Sequence, residues 1–138
     1  MRNSQLFRKD RLLMTKEEFA EKLVEIFPEK KEKLSQHYDE YGKLLGHVFF
    51  GDEINLQLSE MLSENTDNLL IKTYCKFVED MWNKGNDEVR NIVEVTICEY
   101  ISDNTELWKR FGNYISDNFK NDINIAIIPV ISTAPPKL

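Results

Sequence analysis

His47, Asp52 and Glu53 fall close together in the stretch GHVFFGDEIN, residues 46–55. An imidazole beside two carboxylates is the donor set of a metal-assisted hydrolase or of general acid–base catalysis. His37, the other histidine of the chain, is followed by Asp39 and Glu40, which extends the idea to a two-histidine carboxylate site. The spacing argues against it, because one histidine falls on a predicted helix, the other in a predicted loop, and their separation matches no familiar ligand pattern. The sequence also lacks a phosphate-cradling glycine loop, a cysteine beside a base and a serine in an elbow motif. Carboxylate pairs such as Glu79–Asp80 and Asp87–Glu88 are accounted for by helix termini or solvated faces. The residues therefore predict no catalytic set, no metal and no cofactor. A small metal-dependent hydrolase using His47, Asp52 and Glu53 is the alternative.

The same stretch has a structural reading. Phe49 and Phe50 each contribute a few kcal/mol when buried, Gly46 and Gly51 permit turn conformations, and Asp52 is placed to cap the next helix. It reads as a hinge carrying core anchors, which leaves His47, Glu53 and Asn55 as exposed polar groups available for a secondary site.

The surrounding elements are helical. Only 5 Gly and 4 Pro punctuate 138 residues, so long regular elements in a single domain are expected. Thr15 and Glu18 form a capping-box pattern ahead of Phe19, Leu23, Ile26 and Phe27, and Pro28 stops that helix. A more polar helix, 29–41, carries Leu34, Tyr38 and Tyr41 and ends near Gly42. A third begins after Asp52 with Ile54, Leu58, Met61 and Leu62 inward. A fourth starts near Asp67 and ends at Gly85, read as a left-handed cap. The fifth begins at Asp87 with Val89, Ile92, Val93, Thr96, Ile97 and Tyr100 inward, and the short turn before it makes it antiparallel to the fourth. The sixth runs from Thr105 through Leu107, Trp108, Phe111, Ile115 and Phe119. The pentapeptide YISDN occurs at 100–104 and again at 114–118, as repeated helix punctuation. The expected architecture is all-α, an irregular bundle or short HEAT-like α-solenoid of about six helices spanning 14–124.

Both ends differ from the body. Residues 1–13 are basic and aperiodic, and Met14 stands directly before the first cap, so 1–13 is expected to be a disordered or mis-assigned extension. Residues 125–138 are isoleucine-rich and broken by Pro129, Pro135 and Pro136, which predicts an irregular apolar tail with Ile127, Ile128 and Ile131 packed on the body or on a second subunit. Cys75 and Cys98 fall in apolar helical patterns and read as buried free thiols. No run approaches the roughly 18 apolar residues of a membrane span, and no secretory signal pattern is present, so a cytoplasmic protein is expected.

Charge points to a partner. Segments 1–13, 14–51, 52–106 and 107–138 carry +3, −2, −9 and +2, so the middle of the chain holds the whole negative excess. Such a field repels nucleic acid and anionic membrane and steers basic proteins. The outward acids of helices four and five, Glu79, Asp80, Asp87, Glu88, Glu94 and Glu99, are the predicted partner-binding residues, with Arg90 bracing them.

The run GNDEVRNIVEVTICEYI, 85–101, resembles the second helix of a HEAT-type repeat through Asp87, Val89, Arg90, Val93 and Ile97. The larger block from MTKEEFAEKLVEIFPE through LLGHVFFGDEINLQLSEML to DEVRNIVEVTICEYI resembles a family of small uncharacterised bacterial domains of unknown function, similar in size, acidity and helical form to immunity proteins encoded beside secreted toxins. That resemblance implies a non-catalytic binding domain that neutralises a basic toxin, as a monomer or weak homodimer. The remaining alternative is a general helical adaptor.

Overall fold

The computed structural model describes residues 13–132, with side chains described through Asn124. The expected extension at 1–13, apart from Leu13, and the expected packing of Ile127, Ile128 and Ile131 lie outside the described residues. Among the described residues seven helices make an irregular all-α bundle: α1 (Lys16–Ile26), α2 (Lys31–Tyr41, entered through the 3₁₀ turn Pro28–Lys30), α3 (46–64), α4 (Asn68–Lys84), α5 (87–102), α6 (Thr105–Gly112) and α7 (Asp117–Ser132).

Local chemistry sets most boundaries. Thr15 and Glu18 complete the capping box reciprocally, and Asp67 accepts from the Leu70 amide at the start of α4. Gly42 closes α2 at φ +74°, the left-handed conformation that an L side chain resists. Gly85 is different from expectation. It is extended at φ −85°, ψ 157° and pairs with Met14: the Met14 amide donates to the Lys84 carbonyl at 2.8 Å, and the Asn86 amide donates to the Met14 carbonyl at 2.9 Å. Glycine is needed there because a Cβ would overlap the Val89 side chain and the Met81 carbonyl.

Two helices contain a widened π turn, Gly51–Asn55 in α3 and Ile92–Cys98 in α5, and these turns pack against one another. The expected hinge at 46–55 is therefore corrected to the first half of one continuous helix, in which Asp52 caps nothing. Gly46 and Gly51 serve close approach rather than turning: a Cβ on Gly46 would stand 2.5 Å from Ile92 Cδ1, and one on Gly51 3.3 Å from Thr96 Cγ2. Phe49 and Phe50 are core anchors as expected, both buried. In α5 the extra residue of the π turn rotates the C-terminal part of the helix. Tyr100, expected inward, is 48% exposed, and Cys98 and Ile101 take the core positions.

The expected sixth helix is two helices. The first YISDN copy ends α5 and caps α6, with Asn104 accepting from the Glu106 and Leu107 amides, whereas the second lies in the turn after Gly112 and starts α7, with Ser116 accepting from the Phe119 amide. The backbone of α7 continues through Pro129 to Ser132, so 125–132 of the segment expected to be an irregular tail is helical. A single core joins the helices, with Phe19 edge-on to Phe77 at 5.8 Å, and with Phe111 and Phe119 closing the end formed by α6 and α7. Arg110 donates to the Leu62 and Ser63 carbonyls, placing a cation at the carbonyl end of α3.

Candidate functional site

The polar residues singled out in α3 divide between two neighbours. Glu53, expected to be exposed, is 7% exposed, and its Oε1 accepts from Lys30 Nζ at 3.0 Å. Lys30 also donates to Gln57 Oε1, which takes a second hydrogen bond from the Tyr74 hydroxyl. The ammonium stands 5.6 and 5.7 Å from the ring centroids of Phe27 and Tyr74, which stack on each other at 4.7 Å. Burial pushes the Tyr74 hydroxyl above its ordinary value despite the opposing pull of Lys30. The Glu53 carboxylate is thus half of a buried ion pair wrapped in aromatic faces, an arrangement that fixes the 3₁₀ turn Pro28–Lys30 onto α3 and α4.

Asn55 and His47 turn toward α5 instead. Asn55, 5% exposed, donates from Nδ2 to the Thr96 carbonyl at 2.7 Å, and His47 Nδ1 hydrogen-bonds Thr96 Oγ1. His47 is exposed, whereas Glu53 and Asn55 are corrected to buried positions, because the π turn brings both against neighbouring helices. His47 does not join the two carboxylates: it faces Thr96, whereas Glu53 is held by Lys30 and lines one cavity with Asp52 and His37. His37, the other imidazole, accepts from the Leu45 amide through Nε2 at 2.9 Å, so that lone pair is committed. Among the described residues no group of three or more His, Cys, Asp or Glu is arranged to hold a metal ion. The geometry gives the hydrolase alternative no assembled site.

The six predicted acids also divide. Glu79 binds the Ser116 amide at 3.0 Å and the Ser116 hydroxyl, holding the start of α7. Asp80 sits between Lys76 at 3.2 Å and Lys84 at 3.9 Å. Glu88 pairs with Lys16 at 2.8 Å. Asp87, Glu94 and Glu99 have no side-chain ion pair among the described residues, and all three lie on α5. Arg90 braces none of these acids. Its guanidinium stacks on the Trp82 ring at 4.1 Å, and Trp82 in turn donates to Asp122.

Two large apolar side chains of α5 are exposed: Val95 at 47%, which lies off the predicted inward stripe, and Tyr100 at 48%, which that stripe includes. The signal that finds Tyr100 on the surface is the phase shift of the π turn, which the order of residue types does not carry. Cys75 and Cys98 are buried free thiols, as expected. Burial, with a smaller push from Glu79, raises the Cys75 thiol to about 12, and burial raises Cys98 as well.

Among the described residues no helix is long and apolar enough to cross a membrane. No curated protein and no solved structure matches the chain. Residues 20–126, which run from the core face of α1 into α7 and take in both π turns, match one family, and the chain belongs to it: the family described as domain of unknown function DUF7674.

Proposed function

We propose that this chain is a non-catalytic protein-binding domain whose α5 face takes a basic protein, and that the fitting partner class is a secreted toxin, such as a nuclease, which it neutralises. The observation that carries this reading is the composition of that face: Val95 and Tyr100 exposed among Asp87, Glu88, Glu94 and Glu99. A half-exposed tyrosine is the kind of residue that dominates binding energy once water is excluded around it. The surrounding acids supply steering toward a basic surface and rejection of acidic ones. The excess of −9 over residues 52–106 supports the same partner charge. Glu79 and Asp80, occupied by Ser116 and by two lysines, belong to the bundle's own interactions rather than to this face.

The test is affinity capture from cells of the source organism at low and high salt, with Tyr100→Ala and a triple variant Asp87→Lys, Glu94→Lys, Glu99→Lys alongside. A basic protein captured by the unaltered chain, released by salt and lost in both variants is the expected result. Capture that survives the triple variant removes the α5 face. A captured partner that is not basic removes the toxin class.

A further inference from the structure

A groove between α1 and α4 runs against the charge of the rest of the chain. Phe19 and Phe77 line its floor, Met14 and Ile26 its apolar flank, and its volume is about 420 Å³. Lys22, Lys72, Lys76 and Lys84 stand around it, with Asp80 the single acid in the lining. Asp80 is shared by Lys76 and Lys84, so one carboxylate answers two cations. Lys22 and Lys72 have no ion-pair partner among the described residues. Residues 52–106 hold only four bases, and three of them are at this groove. The fourth, Arg90, is spent on Trp82.

The geometry points to a docking site for an acidic amphipathic helix, its apolar side chains seated against Ile26, Met14 and the lysine stems above the Phe19–Phe77 floor, and its carboxylates on the lysine rim. Shape favours a helix over a lipid surface. Phe19 and Phe77 are 1% and 3% exposed and lie at the bottom of a furrow between two helices, where a flat bilayer meets the rim before the floor, whereas a ridge of side chains at i and i+4 fills the groove. A cavity of about 150 Å³ takes one benzene ring, so a furrow of this size takes side chains from adjacent turns. Charge selects the class of helix, since three uncompensated positive charges favour carboxylates and repel a basic segment. Residues 1–13, which lead to Met14 at the groove edge, carry four bases and one acid and so match the rim in sign rather than complement it.

The experiment uses the full chain and fluorescein-labelled designed amphipathic peptides with leucines at i and i+4, one series with glutamates on the polar face and one with lysines in their place. Fluorescence anisotropy is read against salt, and phosphatidylglycerol vesicles are tested by co-sedimentation. The glutamate series is expected to bind, to weaken with salt, and to lose about ten-fold or more in affinity in the double variant Lys72→Glu, Lys76→Glu. Ile26→Ser, at a position 46% exposed and so compatible with folding, is expected to weaken binding through the apolar contact alone. Glu94→Lys on α5 is expected to leave it unchanged, which separates this groove from the α5 face. Equal binding of both series, no binding of either, glutamate-peptide binding indifferent to the lysine reversal, or vesicle binding in place of peptide binding would each overturn the proposal.

Discussion

Asn55 and Thr96 tie together the two widened turns of the bundle, through a hydrogen bond of 2.7 Å from the Asn55 side-chain amide to the Thr96 carbonyl. Thr96 lies in the π turn of α5 and Asn55 in that of α3. His47 engages the hydroxyl of the same threonine, and Gly51 lets the α3 backbone approach its methyl group. The contact joins the two π turns, and the phase of the α5 turn places Tyr100 outward.

Replacing Asn55 with alanine removes the donor from the partly buried Thr96 carbonyl and opens a small void. The expected cost is about 1–3 kcal/mol, read as a lower urea midpoint at unchanged slope. An Asn55→Ala protein as stable as the parent would show that the two turns hold their register without this bond.

Lys30 and Glu53 give a second, separable prediction. Lys30 is 4% exposed and Glu53 7%, so either group alone would be an unpaired charge in the interior. Lys30→Met or Glu53→Leu alone is expected to cost about 3–5 kcal/mol, whereas the double replacement returns most of that loss, because apolar residues of similar volume remove both desolvation penalties. A double-mutant cycle by urea denaturation measures the coupling. Additive losses would mean that the pair does not act as one.

These two networks also mark where the sequence stops being legible. The capping box of Thr15 and Glu18, the Asp67 cap, the Gly42 end and the punctuation by YISDN depend on local residue types, and local types are what a sequence displays. The π turns depend on the fit of α3 against α5. Phe50, Ile54, Leu58 and Leu62 repeat every four residues and satisfy an ordinary helix as well as a widened one, so periodicity does not distinguish them. Gly46 and Gly51 are ambiguous for the same reason, since a glycine for turning and a glycine for close approach are the same letter. The acidic character of α5 is visible in the residue types. That Glu79 binds Ser116, and that Arg90 stacks on Trp82, is set by tertiary contacts.

The thiols predict a dependence on pH. Cys75 is raised to about 12 and Cys98 is raised by complete burial, both above the ordinary value of about 8.5. Below that value folded and unfolded chains both keep the protons, and the thiols leave stability unchanged. Above it the unfolded chain releases protons that the folded chain retains, so stability falls as pH rises, by about 2 kcal/mol per thiol near pH 10. The double variant Cys75→Ala, Cys98→Ala is expected to flatten the slope of stability against pH between about 8.5 and 10, although it lowers stability overall through the voids it leaves. An unchanged slope would mean that other groups cause the alkaline loss. In the native chain neither thiol should react with a disulfide reagent at about pH 8 until the protein unfolds.

Gly85 and Gly42 close different helices for different reasons, and alanine separates them. At Gly42 a methyl meets nothing within 4 Å, so the cost of Gly42→Ala is the left-handed backbone at φ +74°, about 1–2 kcal/mol. At Gly85 the backbone suits any residue, but a methyl overlaps both Val89 and the Met81 carbonyl, and a backbone oxygen cannot swing aside as a side-chain end can. Relieving the overlap moves the α4–α5 turn away from Met14 and breaks the pair of hydrogen bonds at 2.8 and 2.9 Å that anchors the start of the domain. Gly85→Ala is therefore expected to cost about 3 kcal/mol, near the top of the range for overpacking, and to speed hydrogen exchange at the Met14 and Asn86 amides, whereas Gly42→Ala leaves those amides protected. Equal losses of stability in the two variants, with both amides still protected, would show that the turn absorbs the methyl and that the Met14 pairing does not depend on glycine at position 85.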